Sequence, residues 1–162
     1  MARFQVVGQD LQRLLIDLGD GERAYAEGGH LIWKSSSVRM RATLQGGLLG
    51  GLRRALTGAT FFVLELEGPG QAMLSGFAPG SIIKLDLEPG SSLLAEHRSF
   101  LAAESSVKYE TKLVGLGFGW LGGEGLWMAK FEGPGRVWVR SISRQQMIMG
   151  LMPEIANLIR GS

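Results

Sequence analysis

LIDLGDGERAYAEGGHLIWKSSSVRMRATL, residues 15–44, runs without a gap along KLDLEPGSSLLAEHRSFLAAESSVKYETKL, residues 84–113. Asp17 and Leu18 fall on Asp86 and Leu87, Gly21 on Gly90, Ala26 and Glu27 on Ala95 and Glu96, and Ser36-Ser37-Val38 on Ser105-Ser106-Val107. After a slightly shorter spacer in the second copy, Glu67-Gly68-Pro69-Gly70 meets Glu132-Gly133-Pro134-Gly135. The chain contains itself twice, about 14–76 and 83–141. Repeated units of this kind stack or pair to bury a core that neither could close alone.

Both copies alternate with a period of two. Val107, Tyr109, Thr111 and Leu113 share one face against Lys108, Glu110 and Lys112; Val38, Met40, Ala42 and Leu44 repeat that parity against Arg39, Arg41 and Thr43. Ile83, Leu85 and Leu87 match Leu14, Ile16 and Leu18. Strands bury one face in this way and helices do not. The two Glu-Gly-Pro-Gly segments lie between apolar runs and are read as hairpin turns. The expected fold is all-β: one β domain over 1–162, two pseudo-symmetric repeats forming a double-stranded β-helix or β-sandwich. A helical tail over 143–162 closes it, where Pro153 suits a first helical turn and Ile155, Leu158 and Ile159 make an apolar stripe.

Composition narrows the function classes. Among 162 residues, hydrophobic types make up 45% and charged types 20%, the balance of an ordinary globular domain. The net charge of +2 is far from the basic footprint of a protein that lives on nucleic acid. With no cysteine there is no disulfide framework, thiol nucleophile or thiolate metal site. The start, MARFQVVGQD, shows no signal or transit pattern, and no apolar run approaches the roughly 20 residues that span a bilayer. A cytoplasmic protein is expected, with peripheral membrane contact left open.

Gly117, Gly119 and Gly122 formally match G-x-G-x-x-G, but they lead into another strand rather than a helix, so turn geometry is the better reading. No cofactor is expected. The two histidines, His30 and His97, are not repeat-equivalent; with Glu96 they are the candidate ligands, too few for a metal site without carboxylates from elsewhere. Two glycine-rich spacers, 46–58 (GGLLGGLRRALTG) and 115–125 (GLGFGWLGGEG), occupy equivalent places and carry large apolar residues. Leu48, Leu49, Leu52, Phe118, Trp120 and Leu121, flanked by Arg53 and Arg54, are expected to form one apolar surface that a sister subunit or a membrane interface covers. In the last strand pair, Trp127, Ala129, Phe131, Val137 and Val139 are placed inward, and Leu126, Met128 and Trp138 stand on the other face beside Lys130, Arg136 and Arg140. A sheet covered on one side only should not be apolar on both, so this second face is a candidate interface too.

The segments PGSIIKLDLEPGSSLLAEHRSFLAAESSV (79–107) and GWLGGEGLWMAKFEGPGRVWVRS (119–141), with GGLLGGLRRALTG ahead of them, resemble the mitochondrial-biogenesis, or "altered inheritance of mitochondria", family. The resemblance covers about residues 14–141 and implies a fold like that of the tryptophan-RNA-binding attenuation protein, one often assembled into oligomers. It implies no reaction. Its mitochondrial member is linked to inner-membrane organisation, and typical members are longer and carry a third related segment where this chain has two.

From these readings the expected function is non-enzymatic: an oligomeric assembly or scaffold protein whose partner is a sister copy. Two other classes remain open. A cupin-like barrel binding a small ligand or metal would aim His97, Glu96 or His30 into a cavity, and an RNA-binding module would use basic residues interleaved with an aromatic.

Overall fold

Alternating apolar residues separated by glycine-bearing turns give strands, and the computed structural model describes residues 1–42, 63–76, 79–114, 126–142, 147 and 150–153. In chain order the strands are β1 (Arg3–Val7), β2 (Arg13–Leu18), β3 (Arg23–Glu27), β4 (Leu31–Lys34), β5 (Arg39–Ala42), β6 (Val63–Glu67), β7 (Gly70–Ser75), β8 (Ile82–Leu87), β9 (Ser92–Glu96), β10 (Phe100–Glu104), β11 (Lys108–Val114), β12 (Leu126–Glu132) and β13 (Gly135–Arg140). Short 3-10 turns, Gly28–His30 and His97–Ser99, separate β3 from β4 and β9 from β10. The elements of the two repeats therefore correspond one to one, β2 to β7 with β8 to β13; β1 stands outside the repeat.

Pairing is antiparallel throughout the sheets, in a four-stranded order β1-β2-β7-β4, a six-stranded order β5-β6-β3-β10-β13-β8 and a three-stranded order β11-β12-β9. Each repeat contributes two three-stranded leaves: β2-β7-β4 and β5-β6-β3 from the first, β8-β13-β10 and β11-β12-β9 from the second. The repeats meet where β3 pairs with β10. The six-stranded sheet is thus composite and sends alternate side chains to two cores. Ala24, Ala26, Leu66, Leu101 and Trp138 join Leu14, Ile16, Leu18 and Leu74 of the four-stranded sheet. Tyr25, Phe100, Ala103, Val137 and Val139 join Tyr109, Ala129 and Phe131 of the three-stranded sheet.

The Glu-Gly-Pro-Gly segments are not hairpin turns, contrary to the sequence reading. β6 pairs with β3 and β5 while β7 pairs with β2 and β4, so the motif hands the chain from one sheet to the other. The second copy does the same between β12 and β13. Gly68 N–H donates to the Glu22 carbonyl and Gly133 N–H to its counterpart, Ser91. A Cβ at Gly68 would stand 2.2 Å from the Gly19 carbonyl oxygen, and one at Gly133 2.4 Å from that of Glu88. Only glycine lets the backbones pass so closely. Periodicity identifies a strand but not its partner, which is why the corner was read as a hairpin.

At the C-terminal end Met147 and residues 150–153 are helical, so helical backbone already precedes Pro153. The remainder of the tail, with Ile155, Leu158 and Ile159, lies outside the described residues.

Candidate assembly interface

The sequence placed its interface on the glycine-rich spacers and on one face of the last two strands. Leu48, Leu49 and Leu52, with Arg53 and Arg54, and Phe118, Trp120 and Leu121 all lie outside the described residues. Leu126 opens β12 opposite Val114, and Met128, half-buried, pairs with Glu96. Trp138 differs from the expectation. It is 2% exposed, and its ring stacks on Phe4 of β1 with centroids 3.9 Å apart. Both faces of β13 are apolar because this strand belongs to the composite sheet, with a core on each side; no other subunit is needed to cover it.

The candidate ligands fall in the two 3-10 turns. His97 opens the second and His30 closes the first, so they occupy different positions of the repeat. Glu96 accepts from the Arg98 backbone N–H at 3.1 Å and thereby caps its own turn. Its counterpart Glu27 is buried, with Oε2 3.8 Å from His30 Nε2. Burial holds His30 below the usual imidazole pKa, and the Arg140 guanidinium adds to that; hydrogen bonds to the backbone of Arg98 and Ser75 work against it. His30 therefore favours the neutral form and ties the first repeat to the turn of the second. Arg140 is buried against Gly76, where a Cβ would fall 1.7 Å from its Nε. Among the described residues, no group of three or more His, Cys, Asp or Glu side chains converges as a metal site.

A shallow depression of about 330 Å³ marks the meeting of the repeats, lined by Met1, Ala2, Gly21, Glu22, Arg23 and Glu104 to Ser106. Its charges are engaged. Glu22 pairs with the amino terminus, which with the Gly19 N–H draws its carboxyl below the usual range. Buried Glu104 accepts from the Arg136 N–H at 2.8 Å and from Nε at 2.9 Å, and this holds the guanidinium pKa above its usual value.

Exposed apolar side chains lie elsewhere. Ile32 (52% exposed) and Trp33 (43%) stand on β4, Met40 (46%) on β5 and Leu94 (53%) on β9; Val6 on β1 and Ile83 on β8 are exposed as well, Ile83 against the inward parity expected of it beside Leu85 and Leu87. Among the described residues no strand pairs with the outer edge of β4, beyond β7, or with that of β9, beyond β12. Ile32, Trp33 and Leu94 were not singled out from sequence, and Met40, placed by its alternation on the inward face with Val38, is exposed instead. The signal was present in the alignment of the copies, where Trp33 stands against the much smaller Ala102.

Comparison with known proteins agrees with this architecture. The model of a family described as mitochondrial biogenesis AIM24 matches residues 4–149. An uncharacterized protein of Streptococcus pyogenes serotype M6 is 27% identical over 136 residues, covering 78% of this chain and 54% of that protein. This chain thus spans about half the length of that relative. A crystal structure of a Streptococcus pyogenes protein superposes with a TM-score of 0.68 at 24% identity, over 88% of this chain and 65% of that one, a likeness of fold. Among the described residues, no helix is long and apolar enough to cross a membrane.

Proposed function

This chain belongs to the mitochondrial biogenesis AIM24 family, and from that premise we propose that it is a non-enzymatic assembly protein working as a homo-oligomer. One observation carries the reading: Ile32, Trp33, Met40 and Leu94 lie exposed on strands at or beside sheet edges that have no partner among the described residues. Open edges with apolar side chains template pairing with another chain, and β4 keeps Ile32 and Trp33 exposed at such an edge despite its register shift and Lys34. Apolar area removed from water contributes about 25 cal/mol per Å², and stable interfaces bury about 800 Å² on each partner. A handful of large side chains around an edge pair supplies the centre of such an interface.

Light scattering on the purified chain at micromolar concentration tests this directly. The expected mass is a multiple of 17.5 kDa that persists in high salt, since the contact is apolar. A chain that keeps the mass of one copy at every concentration reached would end the proposal.

A further inference from the structure

The repeats are joined inside the chain by a strand pair, and the counterparts of those two strands both lack an outer partner among the described residues. β10 pairs with β3 in the register Ala102↔Ala26, Ala103↔Tyr25, Glu104↔Ala24. In the other repeat, β4 holds the place of β10, and β9 that of β3. The likeness of β4 and β10 extends to an irregularity. Leu31 and Trp33 meet Leu74 and Met73 across a register shift, as Phe100 and Ala102 meet Val139 and Trp138. We infer that the outer edges of β4 and β9 join copies of this chain head to tail, β4 of one copy pairing antiparallel with β9 of the next in the register of the internal junction. This is the surface through which the homo-oligomer proposed above would form, and it stands only if that oligomer does.

Side chains around the two edges support the match. The counterparts of Ile32 and Trp33 are Leu101 and Ala102, fully buried; those of Leu94 and Met40 are Tyr25 and Tyr109, nearly so. Tyr25 and Tyr109 meet edge to face across the internal junction, with centroids 6.1 Å apart. Carried to the open edges, the register sets Trp33 opposite Ala95, Lys34 opposite Leu94 and Ser35 opposite Leu93 of the second copy, with Met40 beside Leu94. Large residues then face small ones, and Lys34 lays its methylene stem along Leu94. Its ammonium is anchored in its own copy, on the Val38 carbonyl at 2.8 Å.

The other outer strands lack such a template. β5 and β11 are each other's counterparts, and neither has an outer partner among the described residues. β8 corresponds to β2, whose outer edge is covered by β1, a strand that occurs once per chain and is used there. β8 also carries the Lys84–Asp86 ion pair, the charge that protects an edge. A β4-to-β9 contact uses different surfaces on its two sides, so it is heterologous and either closes a ring or continues as an open chain.

Two variants test the surface. Trp33→Lys damages the β4 edge and spares β9; Leu94→Lys does the reverse. Alone, each is expected to fall to the mass of one chain, 17.5 kDa. Mixed in equal amounts, they are expected to form a species of twice that mass, through the intact β9 of the first and the intact β4 of the second. Since the chain has no cysteine, a Lys34→Cys chain mixed with a Leu94→Cys chain should also give a disulfide-linked dimer on mild oxidation. Val6→Cys mixed with Ile83→Cys, on β1 and β8, should not. Cross-linking of Lys34→Cys chains to themselves would make the contact isologous and overturn the head-to-tail pairing. Wild-type mass in both lysine variants, or no Lys34→Cys to Leu94→Cys link, would overturn this surface while leaving the oligomer standing. A single-copy mass for the unaltered chain would overturn both.

Discussion

β4 and β10 hold the same place in two copies of one design, and they have opposite fates. β10 is buried along its whole length, with Leu101 and Ala102 at 0% exposure, because β3 covers its second edge. β4 pairs on one side only among the described residues and leaves Ile32 and Trp33 in solvent. The same holds for Tyr109 and Met40, and for β3 and β9. A repeat specifies its own strands, whereas the burial of those strands depends on whether a neighbouring repeat arrives. The internal junction is paired on both sides, whereas the counterpart edges have no outer partner among the described residues.

The largest effect should separate those two states. Leu101→Ala is expected to lower the unfolding free energy by about 2–5 kcal/mol, the range for truncating a fully buried aliphatic side chain. Ile32→Ala, at the counterpart position, should stay within about 0.5 kcal/mol in dilute protein, as exposed substitutions do. Urea titration of both variants decides the matter, and equal losses would abolish the contrast.

Next is the polar pairing beside the junction. Glu104 is buried and binds Arg136 through backbone and guanidinium, while the hydroxyl of its counterpart Ser35 accepts the Gln71 N–H at 3.1 Å. Glu104→Ala should cost about 1.5–3 kcal/mol, toward the lower end because the Arg136 side chain is partly exposed. Ser35→Ala should cost about 1 kcal/mol or less in thermal or chemical melts. A smaller loss for Glu104→Ala than for Ser35→Ala would show that the charged pair adds nothing to the second repeat.

A finer probe is coupling between side chains. A double-mutant cycle on Tyr25 and Tyr109 should return about 0.5–1.5 kcal/mol, the value for an edge-to-face aromatic pair. The corresponding cycle on Leu94 and Met40 should return zero at high dilution and acquire a value only as concentration rises and copies meet. Coupling that is independent of concentration would place those two residues in contact within one chain.

The smallest expected effect is a slope. His30 has its pKa lowered from 6.5 by burial, so the folded chain resists a proton that the unfolded chain accepts. The folded state then binds fewer protons in the window below 6.5, and stability falls as pH falls through it. His30→Gln should flatten that part of a melting-temperature profile. The second repeat has Ser99 at this position. An unchanged profile in His30→Gln would mean that His30 is not held neutral by folding.

Much of the fold was legible in the residues. The inward run Leu14, Ile16 and Leu18 is buried as its alternation requires, and so are Val107, Tyr109, Ala129, Phe131, Val137 and Val139. Met40 obeys the same parity and is exposed, whereas Tyr109 packs edge to face on Tyr25 across the internal junction. Trp138 looked like surface on a one-sided hairpin and proved to be core, because its strand pairs with β8 and β10 and not with β12. The candidate interface was the least legible part. Alternation marks which residues share a face, yet Ile32, Trp33 and Leu94 owe their exposure to the edge of a sheet, and an edge has no local sequence pattern.

By itself, the sequence determined that this protein is built from strands, that those strands come in two matched sets, and that each set turns at a Glu-Gly-Pro-Gly corner. These are local properties: a period of two, a tolerated backbone angle, a recurrence along the chain. Only the tertiary structure decided that the corners join different sheets, that β3 and β10 fuse two leaves into one six-stranded sheet, and that β4 and β9 lack an outer partner among the described residues. The physical reason is that backbone hydrogen bonds between strands carry no residue identity, so the partner is chosen by which faces can be buried together. That choice belongs to the packed whole, and no segment contains it.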